Sequence, residues 1–467
     1  MEQKTDIQLL SLAPELIEQV IKQIEKKKDL ANTRLACKTL EKHASKELFK
    51  EVHASLRKKD QDSWNSITQD DFFRRLPRHL TIETNPGFSL KEDGSYEDCD
   101  DRRERLIPVF KDILNAMSNL PNLESVEILF DEECHGSGYI PDWIRDVDED
   151  RYWRNDILYA IFGAIEDRLA SDKNRKIHRL TINHLQNDPL DLNSTDLFSR
   201  VMSHVQELHI TFTVEHLDLD TAMHFHVDVE LETFPPYFCK EWLAPVSANL
   251  TALSIYATKD KWGPFPGRFE FRDIPFPNLE RLALGDYVFA HDYDLDWILA
   301  IKSLKQLIMH SCMIVSLIHI PPEFMERWNI QSQDWTKFTA TRYDDDDEYT
   351  CFEYDGKWSQ YWDRIGENLP NLLDFRFDCD HWIDKQWFMY RCNCCGEDIC
   401  VDRYIIYDQT CEHVSPFCVR EEEDRYGSWF REGIPINKHD ENWESDKESM
   451  DILQETIKKR RSFKIFK

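Results

Sequence analysis

Glycine is scarce in this chain, 13 in 467 residues, and the few present form no phosphate-cradling loop. The single G-S-G, at 136–138, lacks the G-x-S-x-G spacing of a nucleophile elbow, and no H-E-x-x-H occurs, so the usual hydrolase and zinc-protease signatures are missing. Basic side chains are also in deficit: 58 Lys and Arg face 88 Asp and Glu, a net charge of −30 that repels phosphate backbones and anionic lipid. Neither nucleic acid nor a membrane surface is therefore the expected partner. The longest apolar runs, YAIFGAI (159–165) and MIVSLIHI (313–320), fall well short of the roughly 18 residues a membrane helix needs. MEQKTDIQ has no secretory leader pattern, so the 13 cysteines read as reduced thiols of a cytoplasmic or nuclear protein, with no disulfides expected.

What is present begins at LLSLAPELIEQVIKQI (9–24). Pro14 suits a first helical position and Glu15 the positive helix end, while Leu16, Ile17, Val20, Ile21 and Ile24 recur at helical spacing. The pattern predicts a helix over about 14–25. After EKKK, Asp29 is a candidate cap for a second helical stretch in which Leu30, Cys37, Leu40, Ala44 and Leu48 share one face. Two or three helices in under 50 residues are too small to bury every apolar side chain alone, so either the body of the chain or a partner covers the remainder.

The order Leu12-Ala13-Pro14-Glu15-Leu16-Ile17, Val20-Ile21, Ile24, Asp29-Leu30, Arg34-Leu35-Ala36-Cys37-Lys38 and Leu48-Phe49 resembles an F-box. It departs from that family at Ala13 and Ile24, where leucine is usual; both are apolar exchanges. The resemblance implies a three-helix module (5–50) docking on the Skp-type adaptor of a cullin ubiquitin ligase. Carried over position by position, the adaptor contacts are Leu12, Pro14, Leu16, Ile17, Val20, Leu30, Leu35 and Leu40.

Beyond a linker helix expected within 51–75, an L-x-x-L-x-L motif recurs, anchored at Leu123, Ile177, Val205, Leu250, Leu279, Leu304 and Leu372. Alternation after each anchor is the signature of a short strand, and RHLTIET (78–84) reads as an earlier one. Helical periodicity at 109–120 and 151–170 supplies strand–helix alternation. The expected class is α/β, with an irregular leucine-rich-repeat-like solenoid over 76–380; independent strands of an ordinary α/β domain are the alternative, since anchor intervals range from 25 to 68 residues. The insertions 133–150 and 337–362, rich in acids and aromatics, read as recognition loops, and Asp344–Glu348 as a solvated acidic run. An acidic, cysteine-containing extension, 381–467, ends in a charged helix, a layout similar to the large F-box proteins of filamentous fungi.

Within RCNCCGEDICVDRYIIYDQTCEHVSPFC (391–418), Cys392 and Cys395 form a C-x-x-C pair, with Cys411 and His413 as conceivable further zinc ligands, although C-x-H is a poor second half; otherwise these are ordinary thiols. His224 and His226 share a strand face but have no other ligand spacing nearby. KKRR (458–461) is either a nuclear signal or the basic end of the last helix. The resulting expectation is a non-catalytic substrate-recognition subunit of a Skp–cullin–F-box ligase, with a scaffold lacking any ligase role, zinc-stabilised or not, as the alternative.

Overall fold

The computed structural model describes residues 9–86, 99–132, 134, 149–171, 174–213, 233–257, 261–265, 268–319, 325–326, 329–341, 348–378, 403–408, 412–414 and 438–465. The fold is mixed α/β, built on parallel strands. It forms two compact units: Met1–Asp131, His135–Ile182 and Thr195–Val205 make the first, and Glu132–Cys134, Asn183–Ser194 and Gln206–Lys467 the second.

The first unit opens with three helices, α1 (Pro14–Lys22), α2 (Lys27–Ala36) and α3 (Lys38–Leu48). Pro14 does occupy the first turn of α1. Asp29 does not cap α2: the cap position is Lys26, and Asp29 lies in the first turn, where a negative charge suits the positive helix end. Cys37, fully extended at φ −165° and ψ 162°, breaks what the periodicity read as one long helix into α2 and α3.

Strand β1 (Glu51–Ala54) follows at once, so the segment expected to be linker starts as part of the sheet. It is succeeded by α4 (Lys58–Gln69), β2 (His79–Glu83), α5 (Cys99–Asn115), β3 (Ser125–Leu129), α6 (Arg151–Leu169), the first four residues of β4 (Arg179–Gln186) and α7 (Asp196–Met202). The strands run in the order β1-β2-β3-β4. Trp64 of α4, fully buried, donates its indole N–H to the Ile113 carbonyl of α5.

In the second unit, β5 (Glu207–Thr213), β6 (Ala252–Ala257) and β7 (Arg281–Gly285) lie side by side. β8 (Val288–Phe289) leaves the row, and β9 (Gln306–His310) takes the place beside β7. The chain then builds a second sheet from β10 (Met313–His319), β11 (Trp335–Thr341) and β12 (Glu348–Tyr354) before β13 (Asp374–Asp378) returns to the parallel row beside β9. Finally β14 (Tyr404–Asp408) and β15 (Glu412–Val414) complete the second sheet in the order β11-β12-β10-β14-β15, with β8 also paired to β10.

The seven anchors are all buried, and each strand opens two residues past its anchor, as Ser125 follows Leu123 and Asp374 follows Leu372. The repeats are also in phase: Leu208, Leu253, Leu282, Leu307 and Phe375 are consecutive cross-strand partners. Each step begins with the same hydrogen-bond pair. The Thr251 carbonyl accepts from the Glu280 and Arg281 N–H groups, Glu280 from Lys305 and Gln306, and Lys305 from Leu373 and Asp374. In the first unit Lys50 accepts from Arg78 and His79, and Arg78 from Glu124 and Ser125. Strands buried on both faces read as nearly continuous apolar runs, and all six residues of β6 are buried.

Two sequence expectations change here. The described parts of the insertion 337–362 are not loop: β11 and β12 pair antiparallel from Thr341 and Glu348 inward, and the helix Trp358–Asn368 follows, while Asp344–Asp347 and most of the insertion 133–150 lie outside the described residues. Nor is 381–467 a mere extension, because β14 is an interior strand of the second sheet, between β10 and β15, and the helix Lys438–Ile465 is clamped to the same unit. Arg460 of KKRR donates to the Gly366 and Leu369 carbonyls, completing the C-terminal end of Trp358–Asn368, while Arg461 pairs with Asp374 at 2.6 Å. Among the described residues no helix is long and apolar enough to cross a membrane.

Candidate functional site

The three N-terminal helices make a core of their own from Ile17, Ile21, Leu30, Leu40 and Ala44, with Leu12, Ile24, Cys37 and Leu48 partly buried against it. Helical geometry separates this stripe from a second. Ile17, Ile21 and Ile24 step by four and three residues toward the core; Leu16 and Val20, also four apart, lie on the adjoining face and stay 47% and 46% exposed. Leu35 on α2 is 82% exposed, and Leu9 and Leu10 before α1 are exposed as well.

The eight residues expected to contact an adaptor thus separate into two groups. Pro14, Leu16, Val20 and Leu35 face solvent; Ile17, Leu30 and Leu40 are core, and Leu12 lies between the two. The reason is economy of size: three helices this short hold together only by spending part of their apolar face on one another.

The module meets the rest of its unit elsewhere. The Arg34 guanidinium lies over the rings of Phe49 and Phe73, 5.3 and 5.2 Å from their centroids, and the two rings are themselves 4.8 Å apart. Lys27 pairs with Glu51 at 3.6 Å. Glu18 on α1 receives Lys22 at 3.1 Å and Lys46 of α3 at 3.5 Å; the Lys22 hydrogen bond, with Lys46 adding, holds its carboxyl below the usual range. Leu16, Val20 and Leu35 take no part in these contacts and remain open.

The second unit contains a cavity of about 1020 Å³. In its wall the His291 imidazole stacks on both Tyr293 (4.7 Å) and Trp335 (4.9 Å), and the Arg272 guanidinium lies 4.7 Å from the centroid of Tyr293. His291 Nδ1 is 2.6 Å from Asp334 Oδ1. Burial nevertheless pushes the imidazole below its ordinary value, against the pull of Asp334. Asp294 accepts from the Ala290 and His291 N–H groups at 2.8 and 2.9 Å, and burial pushes its carboxyl up to about 7. Tyr354 donates to Asp292 at 2.7 Å, and Tyr361 to the His291 carbonyl at 2.7 Å. These bonds fix a wall of aromatic faces and carboxylates. No sequence motif marked it, because its members come from segments up to 70 residues apart that only folding unites.

Of the zinc candidates, Cys392, Cys395 and Cys411 lie outside the described residues, and the backbone of His413, in β15, pairs with Tyr407 of β14. His224 and His226 also lie outside them. Cys37, Cys134, Cys239, Cys312 and Cys351 are thiols, all but Cys37 buried. No protein-family model matches the chain, and no curated protein matches its sequence.

Proposed function

We propose that this chain is a substrate receptor of a Skp–cullin–F-box ubiquitin ligase: an F-box of three helices that docks on the Skp-type adaptor, followed by a leucine-rich-repeat-like body that holds the target. The observation carrying this reading is the exposure of large apolar side chains on a module whose own core is already filled and whose seat on the rest of its unit is made by Arg34, Phe49 and Phe73. Leu16, Val20 and Leu35 therefore serve neither the module's stability nor its attachment, and an apolar surface left in that condition is characteristic of a protein interface. Together with the F-box-like order of residues over 9–50, it favours the adaptor over a plain scaffold.

The in-phase repeats support the body's role, since stacked repeats give the long, stiff surface that receptor proteins use, and the cavity walled by His291, Tyr293 and Asp334 gives a target segment its seat. Such a receptor makes and breaks no bond. It raises the effective concentration of a target lysine near the ubiquitin thioester.

The test uses the exposed stripe rather than the core. Tagged chain is co-purified with a Skp-type adaptor and cullin beside Leu16→Asp/Val20→Asp and Leu35→Asp variants. Retention by the wild type and at least about tenfold weaker capture by both variants, with unchanged unfolding midpoints, is the expected outcome. Failure of the folded wild type to bind the adaptor, or equal capture by the variants, refutes the reading. Ile17→Asp is unsuitable, because it places a charge in the module's core.

A further inference from the structure

At the C-terminal ends of β1 and β2, three side chains from three segments converge: His53 of β1, Asp60 in the first turn of α4 and Glu83 at the end of β2. The register of the parallel pair brings the two strand ends together, and the short turn Ser55–Arg57 returns the chain so that α4 lies over them. One ligand atom from each residue lies within 4.8 Å of the other two. His53 Nε2 is 3.2 Å from Glu83 Oε2 and 3.8 Å from Asp60 Oδ2.

We propose that His53, Asp60 and Glu83 form a zinc site. The spacing is the first argument. Ligands about 2.0–2.1 Å from a tetrahedral ion sit about 3.4 Å apart, and the two distances from the imidazole bracket that value; a hydrogen bond explains the contact at 3.2 Å but not the second carboxylate at 3.8 Å. Charge is the second. Two carboxylates meet there with, among the described residues, one paired guanidinium, Arg57, whose side chain is 68% exposed and so neutralises them weakly.

The third argument is the way each carboxylate is held. Arg57 grips Glu83 through Oε1 and leaves Oε2 turned to the imidazole. Ser55, 1% exposed, donates its hydroxyl to Asp60 Oδ2 at 2.7 Å and accepts the Arg57 N–H at 3.1 Å. Arg57 thus orients Glu83 from behind, while Ser55 hydrogen-bonds the same Asp60 oxygen that faces the imidazole, and partners of this kind are the usual companions of a metal centre. With three protein ligands the fourth position belongs to water. The ion would tie the first strand, the second strand and α4 into one joint just behind the helical module, and the inference is independent of what that module binds.

The test is made on the full chain, stripped with a chelator and carrying Cys392→Ser, Cys394→Ser, Cys395→Ser, Cys400→Ser, Cys411→Ser and Cys418→Ser, so that the cysteine cluster of 391–418 contributes nothing. Zinc is titrated against a chromophoric chelator, and Co²⁺ is bound in parallel. The expected result is one equivalent of zinc and a cobalt spectrum without a thiolate charge-transfer band. Glu83→Gln, which keeps its contacts with Arg57 and His53, lowers the affinity at least about 100-fold; Ser55→Ala lowers it about 10-fold. Asp60→Asn repeats the test should Glu83→Gln unfold. The proposal is overturned if this background binds no zinc below about 100 µM, or if two folded ligand variants bind as the parent does.

Discussion

Asp446 is the perturbation by which the architecture of the second unit is most sharply tested. Its side chain and that of Arg403 are both fully buried, with Arg403 Nε 2.8 Å from Asp446 Oδ2. The same oxygen accepts from the Tyr404 hydroxyl at 3.0 Å, and Oδ1 accepts from the Ser359 N–H at 2.9 Å. One carboxylate thus joins the helix Lys438–Ile465, the strand β14 and the start of the helix Trp358–Asn368. Asp446→Ala strips Arg403 of this counter-charge where water cannot replace it, a loss of about 3–5 kcal/mol. At about 2 °C or more per kcal/mol, the thermal midpoint should fall by roughly 6 °C or more. Limited proteolysis should then cleave the 438–465 segment earliest. A double variant, Arg403→Met with Asp446→Asn, removes both charges while keeping an acceptor for Ser359, and should regain at least half of the loss. A drop below about 1 kcal/mol in the single variant, or a double variant no better than the sum of its parts, refutes the reasoning.

Three further outcomes follow from local geometry. An alanine Cβ at Gly285 would sit 1.8 Å from a ring carbon of Tyr256, its cross-strand partner, so Gly285→Ala should cost about 1–3 kcal/mol or more in urea unfolding and be partly rescued by Tyr256→Leu. Arg168, whose pKa burial pushes down to about 10, donates to four carbonyls, those of Met117, Leu120, Leu123 and Arg175 at 2.7–3.1 Å. Arg168→Lys cannot reproduce that fork and should destabilise the first unit by at least about 2 kcal/mol, read as a lowered urea midpoint. Asp294 binds its proton more tightly folded than unfolded, about 7 against 3.8, so its contribution is fully present below pH 3.8 and is lost as pH rises through about 7. His291, held low by burial, contributes the opposite slope, so wild type is compared with Asp294→Asn. The wild type should lose more stability than the variant between pH 5 and pH 7.5; parallel pH profiles would contradict this.

The strands that follow the seven anchors were legible because their signal is local. An anchor, a gap of two and an alternating pair fit within six residues, and a strand buried on both faces must be apolar at those positions. The N-terminal helices were legible for the same reason, and the separation of Ile17 from Leu16 and Val20 was available in the 3.6-residue period. What the period alone does not say is which stripe the module keeps for itself. The second sheet was not legible. WTKFTAT and EYTCFEY alternate too weakly in hydrophobicity to outweigh the acidic run between them, and β14 pairs with a strand about 90 residues earlier. The wall around His291 and the joint at His53 were equally invisible, since each depends on side chains that meet only when distant segments are brought into register.

The phase of the strands bears on how the chain is made. Within each unit, the strands of the parallel row are ordered across the sheet as they are along the chain, so every new strand leaving the ribosome meets an edge its predecessor has just completed. Assembly there can keep pace with synthesis. The second sheet cannot, because β10 waits for β14, and the buried Arg403 beside β14 waits for Asp446. The edge of β10 that β14 fills therefore stays unpaired until residue 408 has been made, and Arg403 meets Asp446 only when the helix Lys438–Ile465 follows.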